Sequence, residues 1–415
     1  MNVRLIIQKG FVALLAALTL SSCDMMTEDL SECPTGLYVN FVYDYNIQRA
    51  DMFKDHVGGL TLYVYDESDR LVASKTMGEG QLSKYGSYLH FSEDELAPGH
   101  SYRLMAVAFQ HEALSNIGAK YRLTGNNTGD QWQQFFIDLD HTKTRALADY
   151  SYVSNAAPLD TLWHTLTTMT TPADSMTQML YPASLTPAKT VYTWQRDGSI
   201  KTNGQERVSI VRGEPTYATV SLIRDTKHLN ITLRAVNDNP ADNQVVDKDY
   251  TVDIFDNSSQ LDCQNNLTNP ADTLIYTPYR QWTTTFVGNG QVVSESSAHY
   301  DLMFNRLLYK NASVENDQYA ILNVEDIAKA RNAVLLIRKK DTGEIIFGIN
   351  LPYILSSGRT YQERYYHYQE YLDREYDYRL QFIIRGGRVD ELQFFIGTHV
   401  HIIPWAMRQQ HEQLK

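Results

Sequence analysis

The chain has 415 residues, 43% hydrophobic and 21% charged, with 49 acidic against 37 basic side chains and a formal net charge of −12 at pH 7. That length gives room for two ordinary domains, each with its own core. The acidic balance argues against nucleic acid as a partner and against electrostatic adhesion to anionic lipid.

At the amino terminus Arg4 and Lys9 give a short positive region, and Gly10 to Leu20 (GFVALLAALTL) is almost wholly apolar. The run has the length of a signal-peptide core and falls short of the ~20 residues a spanning helix needs. Ser21 and Ser22 end it and Cys23 follows, so Leu20-Ser21-Ser22-Cys23 looks like a bacterial lipobox. In such a box the thiol of Cys23 takes a diacylglyceryl group, cleavage falls between Ser22 and Cys23, and the freed amine is acylated. Buried acyl chains, at roughly 0.8 kcal/mol per CH₂, then hold a soluble domain to a membrane. An ordinary secretory signal cut nearby is the plainer alternative, but spacing, apolar core and the switch in polarity agree on the lipobox. Residues 1–22 are therefore expected to be a lipoprotein signal peptide, and the covalent lipid takes the place of any cofactor. Residues 23–35 read as an acidic tether, with Asp24, Glu28, Asp29 and Glu32 and no basic residue. Lipidation leaves Cys33 and Cys263, which either pair in an oxidising envelope or stay as idle thiols.

Strand-like alternation dominates the rest. In GLYVNFVYDY, residues 36–45, Leu37, Val39, Phe41 and Tyr43 share one face. Leu60, Leu62 and Val64 alternate, Asp66 to Asp69 turn the chain, and Leu71 to Ala73 return, which predicts a hairpin. A strand before Pro98-Gly99 and another over Tyr102 to Phe109 follow. Residues 111–162 read as mixed, with a loop at Thr124 to Gln131, and 160–190 as loop with short strands. The pattern restarts at Arg207. An amphipathic stretch surrounds Asp225, and a strand carries Ile231, Leu233 and Ala235. Further strands or hairpins cover Tyr250 to Asn257, Ala333 to Pro352, Tyr378 to Gly387 and Leu392 to Arg408. Helical periodicity is confined to Val324 to Asn332 and Tyr361 to Leu372. The expected class is all-β, with two β-sandwiches in series over 36–205 and 206–415.

Chemistry-bearing motifs are sparse. No glycine-rich phosphate loop, Cys-x-x-Cys, His-Glu-x-x-His or Gly-x-Ser-x-Gly occurs. His399 and His401 share a face of a predicted strand, but no acid or thiolate flanks them, so edge histidines and no metal are expected. Asp66, Glu67 and Asp69, like Asp373, Glu375 and Asp377, fall at predicted turns, where solvated charge is ordinary. No enzyme is expected. Tyrosine outnumbers phenylalanine 28 to 14, with a dense run between Arg359 and Tyr378. Such rings suit a half-wet sheet surface, and a carbohydrate-stacking platform is the sharper alternative. Asp160-Thr161-Leu162 and Asp272-Thr273-Leu274 resemble an Asp-Ser/Thr-apolar O-glycosylation pattern.

Several stretches together resemble one family: EDLSECPTGLYVNFVYDYN behind the lipobox, DMFKDHVGG with LTLYVYDESDRLV, TVSLIRDTKHLNITL, QEYLDREYDYRLQFII and HVHIIPWAMR. In order and spacing, from Cys23 to Arg408, they look like the FimB-like anchor lipoproteins of protease-assembled (type V) fimbriae in Bacteroidetes. The acidic tether likewise resembles the surface-export signal of such lipoproteins. The resemblance implies two transthyretin-like β-sandwich domains, lipidation at Cys23, an outer-membrane and surface-exposed location, and a structural role without catalysis. It implies a fimbrial shaft subunit as partner, joined by β-strand exchange, in which an acceptor loses its first strand to an arginine-specific protease and a donor strand fills the groove. An anchor would keep its first strand, here Leu37 to Tyr43, although Arg49 follows it. The candidate donor strand is His399, Val400, His401, Ile402 and Ile403, limited by Pro404, which lacks a ladder donor. An adhesin that binds glycan or a host ligand on the same scaffold is the alternative.

Overall fold

A computed structural model of the chain describes residues 34–404 except 83–87, 112–120, 125–129, 145–146, 154–157, 172–191, 195–199, 203–206, 237–243, 257, 269–272, 289–291, 310–329, 331, 358–365, 367, 386–387 and 397–398. The class is all-β, as expected. Eight strands form the first sheet. In spatial order they are β3 (Leu71–Met77), β2 (Gly59–Tyr65), β5 (Ser101–Phe109), β10 (Leu162–Thr171), β14 (Pro215–Arg224), β1 (Gly36–Val42) and β4 (Leu89–Phe91), and β13 (Val208–Ser209) also pairs with β5. Alternation explains the inward face: Leu37, Val39 and Phe41 of β1, Leu60, Leu62 and Val64 of β2, and Leu104, Ala106 and Ala108 of β5 all enter one core. Short helices α1 (Phe53–His56) and α2 (Glu79–Leu82) add Phe53 and Leu82 to it.

β5 is buried on both faces. Its other residues, Met105, Val107 and Phe109, enter a second core together with Trp132, Phe135, Ile137 and Leu139. Each such side chain contributes roughly 1.5–3 kcal/mol on burial, so one strand holds two cores together. The second core also lies between two six-stranded sheets. One runs β20 (Arg280–Gly288), β21 (Val292–Asn305), β15 (Thr226–Val236), β24 (Asp377–Arg385), β25 (Arg388–Ile396), β26 (His399–Pro404). The other runs β23 (Ile345–Asn350), β22 (Val334–Lys339), β16 (Tyr250–Asp256), β19 (Thr273–Tyr276), β9 (Leu147–Val153), β8 (His141–Thr144). Phe347 of β23 meets Phe382 of β24 edge-to-face at 4.6 Å across that core. A four-stranded sheet, β18 (Leu267–Thr268), β17 (Gln260–Asp262), β7 (Phe136–Leu139) and β6 (Tyr121–Thr124), and a hairpin of β11 (Tyr192–Trp194) and β12 (Ile200–Thr202) complete the strands.

The sheets do not divide at 205/206. β14, beyond that point, is a central strand of the first sheet, while β7 and β9, ahead of it, pair with β17 and β19. The chain changes sheets at Asp225, the single residue between β14 and β15. Seven successive residues of β14, Ala218 to Arg224, are buried. A strand covered on both faces loses its alternation, so its sequence does not read as a half-buried strand. The expected loop at 160–190 begins with the ten-residue β10. Among the helices, α4 (Tyr368–Arg374) lies at the end of the Tyr361 to Leu372 candidate, and α3 (Leu351–Ser357) follows β23. The candidate at Val324 to Asn332 lies almost wholly outside the described residues.

Candidate functional site: the first strand, its clamp and the C-terminal edge

β1 lies parallel to β14 along its whole length, from Gly36 opposite Pro215 to Val42 opposite Ser221, and antiparallel to β4 from Leu37 to Val39. Gly36 makes that entry possible. Its φ of +81° is left-handed, and a Cβ there would lie 2.2 Å from the carbonyl oxygen of Phe91.

The chain leaves β1 through a wired loop. The amides of Tyr43 and Phe53 donate to Asp51 Oδ1 at 2.9 and 3.0 Å. Burial raises the Asp51 carboxyl, and these two hydrogen bonds oppose the rise. Asn46 Nδ2 donates to the carbonyls of Tyr43 and Ala50 at 2.8 and 2.7 Å. Arg49 takes φ 55° at the tip. Its Nε donates to the hydroxyl of Tyr366, and its guanidinium lies 4.9 Å from that ring. Arg374 of α4 stacks 4.1 Å from the Tyr45 ring and 5.0 Å from Tyr366, and pairs with Glu370 at 3.0 Å. The loop after the first strand is thus clamped to the C-terminal part of the chain.

Beneath the clamp lies a buried charge cluster at the sheet change. Arg306 places Nε 3.2 Å from Asp225 Oδ1 and Nη1 3.4 Å from Asp373 Oδ1. Lys227 Nζ donates to the carbonyls of Asp373 and Glu375 at 2.6 and 2.8 Å. Burial raises the Asp225 carboxyl to about 6 against the pull of Arg306 and Lys227, and it lowers the Lys227 amine to about 7 against the pull of Asp373. Asp373, expected as a solvated turn residue, is 1% exposed. Its cation comes from a distant strand end, a pairing no local pattern reveals. Tyr366, Tyr371 and Tyr378 are likewise buried rather than forming an open tyrosine surface, whereas Tyr368 is exposed.

Among the described residues β26 is an edge strand of its sheet. It pairs with β25 from His399 opposite Ile396 to Pro404 opposite Glu391. The expected donor residues His399, Val400, His401, Ile402 and Ile403 therefore sit in the chain's own sheet. Among the described residues no group of three or more His, Cys, Asp or Glu side chains could hold a metal, and no helix is long and apolar enough to cross a membrane.

Ser22, Cys23 and Cys33 lie outside the described residues. Cys263 is a buried free thiol, which burial pushes up to about 12. Thr161 is 2% exposed and its hydroxyl donates to Gln110 Oε1 at 2.8 Å, so no glycan fits there. Asp272 lies outside the described residues. Sequence reading missed the β20–β21 hairpin, although Ala298, Tyr300, Leu302 and Phe304 alternate into the core.

This architecture is shared with candidate adhesins of known structure. A candidate adhesin of Bacteroides thetaiotaomicron is 20% identical, with a TM-score of 0.59 over 90% of this chain and 97% of that one. A candidate adhesin of Bacteroides ovatus is 21% identical, with a TM-score of 0.55 over 92% and 98%. The fimbrial anchor protein Mfa2 of Porphyromonas gingivalis is 15% identical, with a TM-score of 0.44 over 89% and 100%. The first two likenesses show the fold. No curated protein matches. Residues 30–186 and 202–411 match the model of the Mfa2 family, fimbrillin-A associated anchor proteins Mfa1 and Mfa2. The chain belongs to that family, and the expected fimbrial kinship holds.

Proposed function

We propose that this chain is the lipid-anchored base subunit of a fimbrium. It is fixed to the outer membrane through Cys23, keeps its own first strand, and joins the shaft subunit by strand exchange. The carrying observation is β1, hydrogen-bonded on both sides and followed by a clamped Arg49. An arginine-specific protease needs an extended segment with a free arginine side chain. Here Arg49 sits at left-handed φ in a loop held by Asn46 and Asp51, and its side chain is bound to Tyr366. A subunit whose groove stays filled cannot accept a strand there and is left to donate. The donor we favour is His399 to Ile403, in an edge strand bonded to β25 on one side and therefore removable at the cost of one ladder.

Alkyne fatty-acid labelling of wild type and Cys23→Ala, followed by surface-protease shaving, tests the reading. Label on the wild type alone, a mature amino terminus at residue 23, and co-purification with shaft subunits in a detergent-resistant ladder are expected. Absence of label, or an amino terminus at Ala50, would overturn it. A chain that runs alone and shifts on a polysaccharide gel would be an adhesin instead.

A further inference from the structure

Sheet edges expose unpaired N–H and C=O groups, and proteins ordinarily blunt them with lysine, proline, brevity or a bulge. Most edges here follow that rule. β3 carries Lys75, β4 has three residues, β8 is four residues long, and β26 ends on Pro404. β20 does not. Its nine residues, RQWTTTFVG, contain no lysine, acid or proline, and its pairing with β21 is regular from Arg280 to Phe286, with a shift only beyond it. Among the described residues no strand pairs with its outer side. Phe286 is 65% exposed, the largest exposure among the large apolar side chains described.

The strand is also complementary to itself. Trp282, Thr284 and Phe286 point to one face. Trp282 is held in place, stacked 4.9 Å from His299 with the Arg280 guanidinium 4.5 Å from its ring. On the other face, Thr283 donates to Asp247 Oδ1 at 2.6 Å. An antiparallel pairing of two β20 strands centred on Thr284 would set Trp282 opposite Phe286 of the second copy, Thr283 opposite Thr285, and Arg280 opposite Gly288. Aromatic pairs and Thr–Thr pairs are favourable cross-strand neighbours, and no like charges would face each other. The two-fold symmetry of that register closes the assembly at two chains.

We infer that β20 is a self-association edge, through which a second copy of this chain extends the six-stranded sheet across a two-fold axis at Thr284. This goes beyond anchoring and does not depend on it.

The test uses the full chain in detergent, in a Cys33→Ser background. Residues directly opposite in an antiparallel pair have Cα atoms about 4.5–5.5 Å apart, within disulfide reach. Thr284→Cys should give a disulfide-linked dimer under mild oxidation, whereas Thr76→Cys, on the β3 edge, should not. Thr284→Lys should sediment at half the mass of the wild type while keeping its far-ultraviolet circular dichroism and its melting transition. A wild type that stays monomeric, with no Thr284→Cys cross-link, would overturn the inference. A cross-link that forms only to a different protein would also overturn it and would assign the edge to that protein's strand.

Discussion

The guanidinium of Arg306 stands 3.2 Å from the carboxylate of Asp225, and both side chains are buried. Asp225 is the residue at which the chain passes from the first sheet to the second, so this ion pair fixes the crossing. Removing one member of a buried pair leaves an uncompensated charge, at a cost of about 3–5 kcal/mol. Arg306→Met should lower the stability to urea by that order. Adding Asp225→Asn should restore much of it, because one cation and one carboxylate are then removed together and Lys227 still has Asp373 as its counter-charge. Equilibrium unfolding of the wild type and the two variants checks both statements.

His228 ties three strands of one sheet. Its Nδ1 lies 2.7 Å from Asp377 on β24 and its Nε2 3.6 Å from Asp301 on β21. Burial alone would lower the imidazole, but hydrogen bonds and charge from Asp301 and Asp377 raise it to about 9. A raised base contributes stability that is fully present below its unfolded value near 6.5 and is lost as pH rises through about 9. Both carboxylates are held below their usual range by His228 despite burial, so their part is present above about 3.8 and lost on further acidification. The melting temperature should therefore fall between pH 6.5 and 9.5 in the wild type, and that slope should flatten in His228→Gln.

Gly36→Ala should loosen the first strand. The added methyl meets backbone at 2.2 Å and the φ is unfavourable for alanine, a combined strain of order 1–3 kcal/mol. Hydrogen exchange at the amides of β1 should accelerate, while exchange in β24 stays unchanged. Equal acceleration in both strands would show that β1 does not open by itself.

Tyr366→Ala should expose Arg49. With the hydroxyl and ring gone, trypsin should cut after Arg49 at least several-fold faster, read by amino-terminal sequencing of timed digests. Tyr366→Phe, which keeps the ring and loses the hydrogen bond, should fall between the two. Equal rates in all three would mean that the Asn46 and Asp51 wiring alone protects the bond.

Much of the fold is legible where one face of a strand is wet. The hairpins at Leu60 to Ala73 and Ala333 to Pro352 announce themselves by alternation and by turn residues, and Asp69 and Gly343 do take left-handed φ values of 58° and 70°. Legibility fails where strands are covered on both faces, as at Ala218 to Arg224. It also weakens where polar residues dilute the signal, as in Glu295-Ser296-Ser297 ahead of the alternating Ala298 to Phe304. The candidate site is less legible still. Asp373 reads as a solvated turn acid until the fold brings Arg306 between it and Asp225, and Tyr366 reads as surface until Arg49 and Arg374 arrive around it.

The placement of β1 between a parallel and an antiparallel neighbour has a mechanical consequence. A pull on the chain ahead of Gly36, directed along the strand, would load its ladders in shear, so that many bonds must break together and none can be peeled in turn. A load applied in that direction would then meet its greatest resistance in β1 itself.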